Sequence, residues 1–176
     1  MLLEQKKIYA GKIVDLVVDQ IEIKGAECIR EVVRHPGGVV VLAELADGRI
    51  PFVRQLRYPI QKELLELPAG KLDPGEDPAA AAGRELEEET GFRAADLEHL
   101  LSFYSTPGFC DEILHLYYSS RLTEVGANPE FDEEVSVELY SLDEAIDLSR
   151  TGQILDAKTL VALFWLYWKR SWSLEN

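Results

Sequence analysis

Sulfur, histidine and positive charge are all scarce in this sequence. Two cysteines, Cys28 and Cys110, occur in 176 residues. That is too few for a disulfide scaffold, and they lack the repeated spacing of a zinc site. The three histidines, His35, His99 and His115, are scattered along the chain and read as structural or exposed rather than ligating. Lysine and arginine number 18 against 32 aspartate and glutamate, a formal net charge of −14. Duplex binding needs a basic face that releases counterions, so no nucleic-acid partner is expected. Long apolar runs are missing too. The most apolar stretch, Leu160 to Trp168, is nine residues, against the roughly 20 that span a bilayer as a helix. The opening residues carry Glu4 and no apolar run fit for a signal peptide. A soluble, cytoplasmic protein with no membrane partner is the expectation.

What is present is ordinary globular material, 47% hydrophobic and 28% charged. A chain of this length buries roughly 70% of its unfolded surface, enough for a core without staples. Residues 6 to 35 are rich in Val and Ile with a turn signal at Lys24-Gly25, which predicts strands. His35-Pro36-Gly37-Gly38 breaks that pattern. Val39 to Leu45 is continuously apolar, the mark of a strand covered on both faces. With Asp47-Gly48 as the turn and Ile50 to Leu56 as the return, Val39 to Leu56 reads as a β-hairpin. Further strands are expected over Leu100 to Tyr104, Ile113 to Ser119 and Val135 to Tyr140. Helices are expected from Pro78, with Asp77 as N-cap and Gly91 as its end, from Ser141-Leu142-Asp143-Glu144, and from Asp156. Trp165, Tyr167, Trp168 and Trp172 are expected to serve helix packing.

Charge is concentrated in one place. From Glu63 to Gly91 there are nine acidic residues and two basic ones. Glu85, Glu88 and Glu89 are three and four apart, so they share one face of the predicted helix. Like charges so placed repel by a few tenths of a kcal/mol per pair, and a divalent cation would reverse the sign. Carboxylate oxygens favour Mg²⁺ or Mn²⁺ over metals that prefer softer ligands. A Glu-rich helix can also be simply a solvated face.

The full spacing is more specific than the charge. Gly70, Glu76, Arg84-Glu85-Leu86, Glu88-Glu89 and Gly91-Phe92 stand at the positions that define the signature of the Nudix hydrolases, nine constrained positions in 23 residues. The chain therefore resembles that family. The resemblance implies an α/β fold, the Nudix α/β/α sandwich with a mixed sheet, preceded here by a small N-terminal β region. It implies a loop, helix and loop that bind Mg²⁺, with Mn²⁺ as an alternative, against a diphosphate. By the same resemblance Glu85 and Glu89 are metal ligands, the main-chain carbonyl of Ala69 is another, and Glu88 binds a further ion or orders its water. Arg84, with Glu88 at i+4, would orient carboxylates, and a purely structural role for Arg84 and Glu76 is the alternative.

Outside the signature the chain resembles the ADP-ribose pyrophosphatase branch. Pro107 lies sixteen residues after Gly91, in Ser105-Thr106-Pro107-Gly108-Phe109-Cys110-Asp111-Glu112, a loop like that branch's own. Pro107-Gly108 could also be an ordinary turn. Val53 to Arg57 and Glu66 to Gly70 also look like the branch. The resemblance implies Mg²⁺-dependent hydrolysis of ADP-ribose to AMP and ribose 5-phosphate. Arg57 would hold a substrate phosphate, with a surface ion pair to Glu63 or Glu66 as the alternative. Pro107, Gly108 and Glu112 would line the substrate side. A later acidic loop, residues 128 to 134, would supply the proton acceptor, with Glu133 favoured as base or additional metal ligand and Glu130 and Glu134 as competitors. The branch dimerises through its N-terminal strands, which implies a homodimer and a division into an N-terminal strand region, residues 1–36, and a hydrolase domain, residues 37–176. Other nucleoside diphosphate sugars or dinucleotides are alternative substrates, and a non-catalytic ADP-ribose sensor is an alternative of another class.

Overall fold

The computed structural model describes residues 1–128 and 135–175. In chain order the strands are β1 (Leu2–Ala10), β2 (Asp15–Ile23), β3 (Ala26–Arg34), β4 (Gly38–Ala43), β5 (Arg49–Arg57), β6 (Lys62–Glu66) and β7 (Ala69–Lys71). Helix α1 (Pro78–Thr90) follows, then β8 (Phe92–Ala94), β9 (Glu98–Tyr104), β10 (Ile113–Ser119), β11 (Leu122–Glu124) and β12 (Val135–Ser141). The chain closes with α2 (Leu142–Arg150) and α3 (Ala157–Glu175).

The Val- and Ile-rich N-terminal residues form an antiparallel sheet of order β1-β2-β3, with Lys24 and Gly25 at positive φ in the tight turn between β2 and β3. β1 is exposed along its whole length. The end of β3 fastens this sheet to the rest of the chain: the Val33 N–H donates to the Phe109 carbonyl at 2.8 Å, and the Asp111 N–H donates to the Val33 carbonyl at 3.2 Å.

All six residues of β4 are buried, as a strand covered on both faces requires. It does not pair with β5, so the expected hairpin over Val39 to Leu56 is wrong. β4 lies inside a mixed sheet of order β7-β4-β10-β9, parallel to β10 and antiparallel to β7, while β5 belongs to a second sheet of order β12-β5-β6. Both edges of β4 are already occupied. The Asp47-Gly48 turn therefore carries β5 across the face of the first sheet, where Ile50 and Phe52 pack into the same core as Val40 and Leu42. On the opposite face Val39, Val41 and Ala43 pack with Ala81, Ala82 and Leu86 of α1. Helices α2 and α3 close the other side through Leu142, Ala145, Leu163 and Leu166. The result is the expected α/β/α sandwich around a mixed sheet.

The C-terminal aromatics are a second correction. Trp165 packs against the core, but Tyr167, Trp168 and Trp172 are 47%, 61% and 60% exposed. Helical spacing explains the split: Ala162, Leu163 and Leu166 face inward, and Phe164, Trp168 and Trp172 recur every four residues on the opposite face. No helix among the described residues is long and apolar enough to cross a membrane.

Candidate active site

The signature helix begins and ends where its sequence dictates. Asp77 caps α1, its carboxylate accepting from the Ala79 and Ala80 N–H groups at 3.0 and 3.1 Å, and Pro78 fills the first turn. Gly91 ends it with φ 74°. A side chain there would also come within 2.6 Å of the Ala127 nitrogen, so the position has room only for glycine. Residues just before the acidic loop pack on this end of the helix. The Gly91 carbonyl accepts from the Val125 and Gly126 N–H groups, and the Glu88 carbonyl accepts from the Asn128 N–H at 3.0 Å.

One turn of chain meets the inner face of α1. β7 pairs with β4 so that Gly70 lies opposite Val39. The Glu85 carboxylate lies directly over the Gly70 α-carbon, occupying the space a Cβ would need. Glu89 is 3% exposed, and its carboxylate accepts from the Ala69 N–H at 3.0 Å. Glu85 and Glu89 thus both meet the chain at Ala69-Gly70. Glu88 is half-buried on the same side. Glu87 is turned away, its carboxylate taking two 2.7 Å bonds from Arg93 at the surface.

Arg84 holds this face together. Its guanidinium reaches Glu76 at 3.1 and 3.2 Å, Glu85 at 2.8 Å and Glu88 at 2.9 Å. One cation among three carboxylates leaves the cluster net negative. The hydrogen bond to Glu76, above all, raises the Arg84 pKa, and the same bond holds the Glu76 carboxyl below its ordinary range. Glu76 also accepts from the Asp73 N–H at 3.0 Å, so the loop before α1 is fixed to the helix.

Arg57 makes an ion pair, but not a surface one. Its Nε and Nη2 donate to the two carboxylate oxygens of Glu66 at 2.8 and 2.7 Å, and Glu66 is fully buried. Lys158 of α3 donates to the same carboxylate. Burial pushes the Glu66 pKa up, yet the Arg57 guanidinium and the Lys158 ammonium outweigh it, and the carboxyl ends below its ordinary value. Arg57 is raised in turn, chiefly by its bonds to Glu66, and it also feels the charges of Asp156 and Glu89.

A pH effect follows from Glu66. A carboxyl depressed on folding stabilises the protein above its unfolded pKa, about 4.5, and that stabilisation is lost as pH falls through the folded value. Glu66→Gln should cost roughly 3 kcal/mol or more near neutrality, because it leaves two cations in a buried site with one carboxylate fewer. In denaturant titrations at several pH values, the variant should show a flatter fall in stability below about pH 4.5 than the wild type. Parallel curves would contradict the assignment.

Pro107, Gly108 and Glu112 lie in the β9–β10 connection, with Pro107 and Gly108 exposed and Glu112 half-buried. This loop is fastened to the β3–β4 connection. Asp111 accepts from the Arg34 side chain and the His35 N–H, each at 2.9 Å, and Glu112 lies 3.3 Å from the His35 ring. Gly38 of β4 is paired with Lys71 on one side and Leu114 on the other. The start of β10 is therefore two strand spacings, roughly 10 Å, from β7. Among the histidines, His99 and His115 share Ser102 through contacts of 2.9 and 2.8 Å at the surface of β9 and β10. Glu130, Glu133 and Glu134 lie outside the described residues. Among the described residues no three His, Cys, Asp or Glu side chains converge as a metal cage.

The NUDIX domain family model matches residues 34–163. The chain is 41% identical over 170 residues, 95% of its length and 92% of the relative's, to a protein of Bacillus subtilis (strain 168) named ADP-ribose pyrophosphatase. It is 42% identical to the methanol dehydrogenase activator of Bacillus methanolicus, covering 93% of this chain and 90% of that one. It is 36% identical to an ADP-ribose pyrophosphatase of Mycobacterium tuberculosis, covering 88% and 77%. A crystal structure described as an ADP compounds hydrolase superposes with a TM-score of 0.83 at 22% identity, covering 98% of this chain and 92% of that one, a likeness of fold.

Proposed function

The chain belongs to the NUDIX domain family, and from that premise we propose that it hydrolyses the diphosphate linkage of ADP-ribose to AMP and ribose 5-phosphate with Mg²⁺, Mn²⁺ serving as a substitute. The observation that carries this reading is the cradle in which Glu85 occupies the side-chain space missing from Gly70 while the buried Glu89 is fixed on the Ala69 amide. The relatives named ADP-ribose pyrophosphatase support the choice of substrate. The residues fit a hard divalent ion: two carboxylates and the Ala69 carbonyl are all oxygen donors. An ion bound there would neutralise the diphosphate and lower the pKa of the attacking water.

The chain's own groups supply the rest. Arg57 has Nη1 uncommitted to Glu66, and with it holds a substrate phosphate. Arg84 keeps Glu85 and Glu88 aligned despite their mutual repulsion. Glu88, with 32% of its side chain exposed, orders the attacking water. Pro107, Gly108 and Glu112 form the far wall of the substrate site. Glu133, as the proton acceptor, belongs to the segment between Asn128, bonded to the carbonyl of Glu88, and Val135, paired with Gln55. Incubation with Mg²⁺ and a panel of ADP-ribose, GDP-mannose and a dinucleotide, followed by product identification, tests the reading. AMP and ribose 5-phosphate formed well ahead of the other products is the expected result. Saturable binding of ADP-ribose without turnover would point to a sensor and overturn it.

The chain works as a cytoplasmic homodimer in this reading, with residues 1–36 as the dimerising strand region and residues 37–176 as the hydrolase domain. The support is a nine-residue strand, β1, exposed throughout, with Leu2, Ile8 and Tyr9 at least half exposed. An edge of this kind is a template for pairing with another chain. Light scattering after size exclusion should give twice the chain mass of 19.9 kDa. A monomer at micromolar concentration would contradict the dimer.

A further inference from the structure

Four consecutive residues ahead of Gly70 are tied to four different elements. Glu66 takes its bonds from Arg57 at the end of β5 and from Lys158 of α3. The Leu67 N–H donates to the Thr159 hydroxyl at 2.9 Å, also in α3. The Pro68 carbonyl accepts from Val41 of β4 at 2.9 Å, and the Ala69 N–H donates to Glu89 of α1. The two α3 residues are themselves fixed by one carboxylate. Asp156 accepts from Lys158 at 2.9 Å and from the Thr159 hydroxyl and N–H at 2.7 and 3.0 Å. Thr159 and Leu67 are 0% exposed, so neither has water as a substitute partner.

We propose that Lys158 and Thr159, at the start of α3, are positioning residues for the diphosphate site. Lys158 acts through Glu66 on Arg57. With Glu66 shared between two cations, the carboxylate fixes the Arg57 fork without cancelling the positive charge that Arg57 turns to a substrate phosphate. Thr159 acts through the Leu67 amide on the turn carrying the Ala69 carbonyl and Gly70. A displacement of that turn by a fraction of an ångström moves two of the groups that would hold the ion. This assignment rests on the reading of the site given above.

The test uses Lys158→Met, Thr159→Val and Thr159→Ser in the full-length protein. Lys158→Met should raise KM for ADP-ribose about tenfold with kcat changed less than about threefold, the pattern of lost substrate binding. Thr159→Val should raise the Mg²⁺ concentration for half-maximal rate several-fold, and Thr159→Ser, which keeps the hydroxyl, should restore it. Amide hydrogen exchange without substrate separates this proposal from the choice of reaction: in Thr159→Val both the Leu67 and the Ala69 amides should exchange faster. Lower melting temperatures with unchanged KM and Mg²⁺ requirement, or faster exchange at Leu67 with Ala69 unaffected, would reduce both residues to structural roles and overturn the proposal.

Discussion

Glu89→Gln should lower kcat on the order of 10³-fold at saturating Mg²⁺ while leaving the fold intact. Glutamine has nearly the same shape, and its amide oxygen can still accept from the Ala69 N–H that Glu89 engages at 3.0 Å. What disappears is one negative charge at a position 3% exposed, where water cannot screen its loss. The two effects separate cleanly in measurement. Thermal unfolding should move by only a few degrees, whereas steady-state turnover should nearly vanish. Wild-type kcat in this variant would remove Glu89 from the proposed ligand set.

Gly70→Ala should cost about 10²-fold in turnover for a different reason. The new methyl would overlap the Glu85 carboxylate, the mobile end of a side chain, so Glu85 swings aside and the backbone stays. Gly70 is not among the residues at positive φ, and alanine can adopt its conformation. Stability should therefore change by no more than about 1 kcal/mol while the carboxylate geometry is lost. Because both substitutions act on the same carboxylate, Gly70→Ala combined with Glu85→Gln should be little worse than the more damaging single change. Additive losses in kcat would show that Gly70 acts other than by making room for Glu85.

The features that could be read from sequence are the local ones. Asp77, Pro78 and Gly91 set the limits of α1 through bonds within a few residues, and Ser141 with Glu144 does the same for α2 through a reciprocal cap. Glu85, Glu88 and Glu89 share a face because helical spacing demands it. Longer-range features were not legible. The apolar run of β4 announced burial on both faces, but nothing in Asp47-Gly48 says that β5 crosses over to another sheet. Trp168 and Trp172, expected to serve helix packing, stand on the exposed face of α3 instead. Glu66 was legible as a partner for Arg57, but not its burial. Lys158 lies 92 residues further along the chain, and no spacing rule connects them. Thr159 and Leu67, also 92 apart, are equally silent in sequence.

The face shared by Glu85 and Glu89, closed by the turn at Ala69-Gly70, is expected to take up a divalent cation together with a diphosphate. Mn²⁺ binding followed by electron paramagnetic resonance, with and without ADP-ribose, measures that directly. The wild type should bind Mn²⁺ saturably, more tightly when ADP-ribose is present, and Glu85→Gln combined with Glu89→Gln should lose at least about tenfold in affinity. Equal Mn²⁺ uptake by the two proteins, or no uptake by the wild type in either condition, would contradict the account.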